Sequence, residues 1–295
     1  MPGTALGLEA LTILQEEYVE HETIAAIAAA ARAKAALLRN EWRQYLVLSA
    51  LAGAYVGLGV VLIFAIGAPL QAAGSGATKV VMGASFGIAL TLVIFAGSEL
   101  FTGNHLVMTV GALSRSVGPG ALAKVWTASF VGNLAGSILL ALAVAASGVL
   151  GKAPAKEFVL GVAAAKMNAP AMELFFRAML CNALVCLAVW MGIRTKDETA
   201  KLVLIFWCLF AFIGAGFEHS VANMTLLSLG LFLPHDPNLV SWAGFARNLG
   251  VVTLGNIVGG AILIGLPYWY VAQGQRRMLA VRSVEEETRT RVAAG

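Results

Sequence analysis

Charge is what this chain has least of. Asp, Glu, Lys and Arg make up 12% of its 295 residues, where a soluble domain carries about a quarter. With 59% apolar residues, that scarcity excludes an ordinary soluble domain and marks an integral membrane protein. Cysteine is scarce as well. Cys181, Cys186 and Cys208 are odd in number and lie in apolar runs, so they are expected to be reduced packing residues. The first thirty residues lack a basic start and a small-residue cleavage pattern, so no secretory signal is expected. The formal net charge of +4 resides in loops and tails, which calls for no nucleic-acid partner.

What the chain does have is a sequence written twice. Ala96–Gly111 (AGSELFTGNHLVMTVG) and Ala215–Gly230 (AGFEHSVANMTLLSLG) share an opening Ala-Gly, a Glu, an Asn and a closing Gly at an offset of 119. A second pair, Gly132-Asn133-Leu134-Ala135-Gly136 and Gly255-Asn256-Ile257-Val258-Gly259, follows at an offset of 123. Apolar runs at roughly 45–68, 78–112, 121–149, 171–193, 200–232 and 244–271 suit six spans of about 20 residues or more. The second and fifth are long enough to require a break. Three spans per repeat is an odd number, so the second copy enters from the opposite face. The expected fold is therefore an all-α integral membrane protein of six transmembrane helices, in two inverted three-helix repeats with broken second and fifth helices. The expected boundaries are a cytoplasmic amphipathic arm at 1–44, a six-span domain at 45–271 (repeats about 45–149 and 171–271) and a cytoplasmic tail at 272–295.

Lys and Arg set the orientation. With the N-terminus inside, fourteen basic residues face the cytoplasm, among them Arg32, Lys34, Arg115, Arg194 and Arg276, against five outside: Lys79, Lys152, Lys156, Lys166 and Arg247. In the arm, Ile24, Ile27, Ala31, Ala35, Leu38 and Trp42 recur at helical spacing. They suit either a helix on the membrane surface or one packed on the cytoplasmic side of its own bundle.

Polar groups inside the spans are costly unless they serve something. Gly97-Ser98-Glu99-Leu100-Phe101-Thr102-Gly103-Asn104 and Gly214-Ala215-Gly216-Phe217-Glu218-His219 combine poor helix formers with hydrogen-bonding side chains, as a helix break requires. A kink without function explains one such site less awkwardly than two related by a repeat. Glu99 and Glu218 are expected to cap the half-helices more than to carry transport, with Thr102 also answering freed backbone groups. His219 either bonds a neighbouring helix or exchanges a proton with a weak acid in a pore. Phe86 and Leu90, four apart, read by spacing alone as packing.

Gly83-Ala84-Ser85-Phe86-Gly87 matches a hydrolase nucleophile pattern but lies in a helix rather than at a strand-to-helix elbow. Glu99, His105, Glu218 and His219 lack metal-ligand spacing. No enzyme activity, metal or cofactor is expected.

At AGSELFTGN (96–104), LCNALVCLAVW (180–190) and GFEHSVANM (216–224) the chain resembles the formate/nitrite transporter family across residues 45–271. The resemblance implies an aquaporin-like fold and a homopentamer in a bacterial-type plasma membrane. Each protomer would hold one pore for small monovalent anions, with passive or proton-linked passage. It implies that His219 is the central pore histidine, with Asn182 and Thr102 near it and Asn223 supporting it from the next turn. Thr102 falls in the loop that the resemblance makes a cytoplasmic gate. Lys166 becomes an outer-vestibule lysine that attracts anions. Phe86 and Phe212 become an outer hydrophobic constriction, and Leu90, Leu100 and Val185 an inner one. Ala183 departs from the pattern, which has a bulky residue there, and the N-terminal arm is longer than usual.

Glu99 in SELFTG, EHSVANMT (218–225) and the stretch 169–176 resemble the nitrite branch most, with formate and then hydrosulfide as alternatives. Other classes are an ion-coupled secondary transporter, which inverted repeats permit, and a neutral-solute channel, for which neither break has the Asn-Pro-Ala needed. A bare anion between apolar rings carries a heavy desolvation penalty that a neutral acid avoids, so protons are expected as partners.

Overall fold

The computed structural model describes residues 19–275. Helix α1 (Val19–Asn40) precedes the first repeat: α2 (Trp42–Ala72), α3 (Thr78–Ser85), α4 (Gly87–Phe95), α5 (Phe101–Leu113) and α6 (Pro119–Ser147). Helix α7 (Ala155–Asn168) precedes the second: α8 (Ala171–Arg194), α9 (Glu198–Ala215), α10 (Ser220–Phe232) and α11, which starts at Trp242 and continues to Gln275. Six helical stretches are long and apolar enough to cross a membrane, with α3 and α4 together making one. Leu139, Leu254 and Trp207 are among many large apolar side chains on the outside, as lipid-facing helices require.

The two breaks are built alike. Each follows a glycine in the left-handed region, Gly97 at φ +76° and Gly216 at φ +74°, where a side chain would be strained. Each then anchors its backbone on the helix that opens its repeat: Glu99 N donates to Leu48 O at 3.2 Å, and Glu218 N to Arg177 O at 3.3 Å. Close helix crossings repeat too. A Cβ at Gly136 would overlap the Ala50 carbonyl, and one at Gly259 the Met179 carbonyl. Without those glycines α6 could not lie against α2, nor α11 against α8.

Of its two expected placements, the arm helix takes the one packed on its own bundle: Ile24, Ile27 and Ala31 are buried, with Ala31 against Gly111 of α5. Trp42 does not share that face; it is 54% exposed and opens α2 after a break at Glu41. Helix α7, between the spans, has no counterpart among the expected elements. It stands before the second repeat as α1 stands before the first, so the duplication takes in one more helix per half. The expected positions before residue 19 and after 275, including Arg276, lie outside the described residues.

Candidate functional site

The half-helices α5 and α10 start at the breaks, so their free N–H groups and positive dipole ends lie in the middle of the molecule. The expected carboxylate caps are not there. Asn133 Oδ1 accepts from Phe101 N at 2.9 Å, and Asn256 Oδ1 accepts from Ser220 N at 2.9 Å. Each amide then donates twice to break and helix carbonyls: Asn133 to Ser49 O and Glu99 O (2.7 and 2.9 Å), Asn256 to Ala178 O and Glu218 O (2.7 and 3.0 Å). An amide can do this and a carboxylate cannot, because the site offers one donor and two acceptors.

Glu99 and Glu218 are turned to lysines instead. Lys34 Nζ, from α1, lies 2.7 Å from both Glu99 oxygens, and Lys166 Nζ, from α7, lies 2.7 Å from Glu218 Oε1. Asn104 donates to Glu99 at 3.3 Å and Asn223 to Glu218 at 2.7 Å. Asn223 also donates to Asn248 Oδ1 at 2.9 Å, so its side chain supports the ion pair and not the His219 ring as expected. Two Lys–Glu–Asn clusters thus face opposite sides of the molecule. Lys166 is not a free charge. Lys79 beside it has no ion-pair partner among the described residues and lines the same cavity.

Three cavities run in file through the molecule. One of about 240 Å³, on the side of α7, is lined by Lys166, Lys79, Phe86, Phe212, His219 and Asn223, among others. A central one of about 10 Å³, room for roughly one water, is lined by Phe86, Phe212, His219, Leu90, Leu100 and Val185, with Val56, Ala89 and Leu209. A third of about 430 Å³, on the side of α1, is lined by Leu90, Leu100, Lys34 and Glu99, among others. Phe86, Phe212 and His219 are shared by the first two, and Leu90 and Leu100 by the last two. The five apolar residues picked from the sequence therefore meet around one point, Phe86 and Phe212 edge to face with centroids 5.5 Å apart.

His219 sits at that point as the residue before α10. Its Nδ1 accepts from Ala222 N at 3.1 Å, and its Nε2 lies 2.9 Å from Thr102 Oγ1. A backbone N–H can only donate, so a neutral ring with this geometry carries its proton on Nε2 and offers it to Thr102. The threonine hydroxyl is left with a hydrogen of its own. A second proton on the ring would meet the Ala222 N–H and break the cap.

Asn182 reaches His219 only through Thr102: it donates to Thr102 O (3.3 Å) and Asn256 O (2.6 Å) and lies 2.9 Å from His105 Nδ1, tying the half-helix α5 to α11. Helix α11 widens into π turns over Val258–Gly265, just after the carbonyl that Asn182 takes. Ser85 in the hydrolase-like pattern donates to Val81 O at 2.9 Å within its own helix. Among the described residues no three His, Cys, Asp or Glu side chains group around a possible metal position.

Sequence reasoning missed Lys34, Asn248 and the work of Asn133 and Asn256. The asparagines had a signal, the pair at an offset of 123. Lys34 had none beyond its charge, for its partner is 65 residues away.

Inverted repeats, two broken helices meeting at the centre and a narrow apolar passage define a multi-pass membrane protein of the channel or transporter class. The chain belongs to the formate/nitrite transporter family, whose model, described as "Formate/nitrite transporter", matches residues 21–270. It is similar to the nitrite transporter NirC of Escherichia coli (strain K12), 45% identical over 267 residues, 90% of this chain and 98% of that one. It is 30% identical to the formate channel BtFdhC of Bacillus thuringiensis over 230 residues, 78% of this chain and 87% of that one. Two solved structures share the fold. An FNT family ion channel superposes with a TM-score of 0.80 at 48% identity, covering 84% of this chain and 98% of its own. A pentameric formate channel with formate bound superposes with a TM-score of 0.67 at 28% identity, covering 78% and 96%.

Proposed function

We propose that residues 45–271 form a channel for small monovalent weak-acid anions, nitrite foremost and formate second. It would work as a homopentamer in a bacterial plasma membrane, with both termini cytoplasmic. The file of three cavities pinched at His219 carries this reading. The choice of nitrite is supported by 45% identity to a nitrite transporter, against 42% to a probable formate transporter and 30% to a formate channel, and the pentamer by the likeness in fold to a pentameric formate channel.

A charge at the bilayer centre costs at least ~2.5–3.5 kcal/mol, roughly two orders of magnitude or more in partitioning. A neutral acid avoids most of that. Lys79 gathers the anion at the outer mouth, while the Lys166–Glu218 and Lys34–Glu99 pairs, each neutral overall, flank the outer and inner mouths. Between them Phe86, Phe212, Leu90, Leu100 and Val185 admit the acid without its water. His219 assists as a neutral relay: Nε2–H and the Thr102 hydroxyl offer hydrogen bonds where water has been stripped away, and the ring takes a second proton only by releasing Ala222.

Uptake into proteoliposomes of purified protein, comparing nitrite, formate and hydrosulfide over a pH series, tests the proposal. His219→Phe should abolish anion passage and leave the oligomer intact on gel filtration. Undiminished nitrite flux through that variant refutes the role of the ring. Flux that saturates at low substrate and stops without a gradient identifies an ion-coupled transporter instead.

A further inference from the structure

A separate polar cavity of about 580 Å³ lies away from the passage, where α1, the turn after α5 and the end of α11 meet. Its wall includes Arg32, Arg115, His21, Ser114, Trp269 and Gln273, and among the described residues no carboxylate. Arg32 holds only the Ser116 hydroxyl, at 3.1 Å, and Arg115 has no acidic partner among the described residues. The Trp269 indole nitrogen and the Ser114 hydroxyl are buried there with no hydrogen-bond partner in the described protein. Buried donors without acceptors are costly, and beside them two guanidinium groups with no acidic partner among the described residues line a cavity suited to a ligand that brings acceptors.

Arg115 adds an independent sign. Helix α5 ends in a Schellman turn, with Ser116 N donating to Gly111 O at 2.8 Å and Arg115 N to Ala112 O at 2.9 Å. The residue after the cap must then take a positive φ, and Arg115 does so at +56°. Glycine is the unstrained choice at that position, so the arginine is held there against its own backbone preference. Its side chain lines the cavity.

The geometry points to a binding site for a phosphate group, most directly that of an anionic lipid headgroup. Trp269 stands in an aromatic run, Tyr268-Trp269-Tyr270, near the end of α11, with Tyr270 exposed and apolar residues such as Leu266 exposed a turn earlier. Such a run lies at headgroup depth, where basic side chains meet anionic lipid. A phosphate bridging Arg32 and Arg115 would fasten α1 to the bundle. Since Lys34 follows Arg32 on the same helix, it would also hold the Lys34–Glu99 pair at the inner mouth. The binding itself does not depend on which anion the passage carries.

The test is binding by the purified full-length oligomer, delipidated and then titrated with phosphatidylglycerol, with phosphatidylcholine, or with inorganic phosphate, read by native mass spectrometry. Phosphatidylglycerol should be retained where phosphatidylcholine is lost, and Arg115→Gly and Arg32→Gln should each bind about tenfold more weakly. Arg115→Gly relieves the backbone, so a folded oligomer is expected and the loss reports the guanidinium. Inorganic phosphate binding alone, with the same loss in both variants, assigns the site to a soluble phosphate. Equal retention of both lipids with no phosphate binding, or unchanged binding by both variants, overturns the proposal.

Discussion

Replacing Asn256 with Ala tests what holds the second half-helix in place. The Asn256 amide is fully buried and makes three hydrogen bonds, to Ser220 N, Ala178 O and Glu218 O, at 2.9, 2.7 and 3.0 Å. Truncation strands one backbone donor and two backbone acceptors in an apolar interior. Each stranded group costs about 1–3 kcal/mol, so the loss is about 3 kcal/mol or more if all three stay unpaired and about 1–3 kcal/mol if both carbonyls find other partners. The assay is thermal unfolding of the purified oligomer together with nitrite uptake. Two companions sharpen it. Asn133→Ala strands the matching groups in the first repeat and should fall by a similar amount. Thr253→Val, in the same helix, removes a hydroxyl that has no partner and should change stability by less than about 0.5 kcal/mol. If the two asparagine variants melt where Thr253→Val does, the amides are not the clamps and the account of the breaks fails.

Gly216→Ala, at φ +74°, should destabilise by about 1 kcal/mol or more, while Gly76→Ala, with open space around it and an ordinary φ, should not; melting temperatures decide. Lys34→Gln should cost about 3 kcal/mol by leaving Glu99 unpaired in a nearly closed site, and Glu99→Gln added to it should restore part of that loss. An additive double variant in the same thermal assay removes the coupling claimed for the pair. Uptake driven by the neutral acid should fall by about tenfold for each unit the pH is raised above the substrate's own pKa. A flat profile over two units indicates that the anion itself crosses.

The six spans and the two breaks were legible because both are written locally. Apolar runs give spans, and Gly97 and Gly216 sit beside polar residues where no straight helix would put them. The convergence of Phe86, Phe212, Leu90, Leu100 and Val185 was not legible from spacing. Phe86 and Leu90 look like packing until Phe212 arrives from the other half, and only the family resemblance grouped the five. The capping expected of Glu99 and Glu218 was overturned for the same reason. A carboxylate before a helix is the usual local cap, but Asn133 and Asn256 arrive from 32 and 36 residues further along and displace it. Helix α7 is too short to span, which hides it among the loops, and Lys34 is one cation among many in an Ala-rich stretch.

The two halves match residue for residue at the glycine turns, the asparagine clamps and the Lys–Glu–Asn clusters, yet not at the residue that opens each half-helix. Leu100 stands before α5 and His219 before α10. The duplication therefore surrounds the midpoint with two like frames, and the ring, Thr102 and the Phe86–Phe212 pair are among the features that tell one end of the passage from the other. Exchanging the pair, Leu100→His with His219→Leu, would carry the ring to the other half-helix and leave the phenylalanine pair where it is.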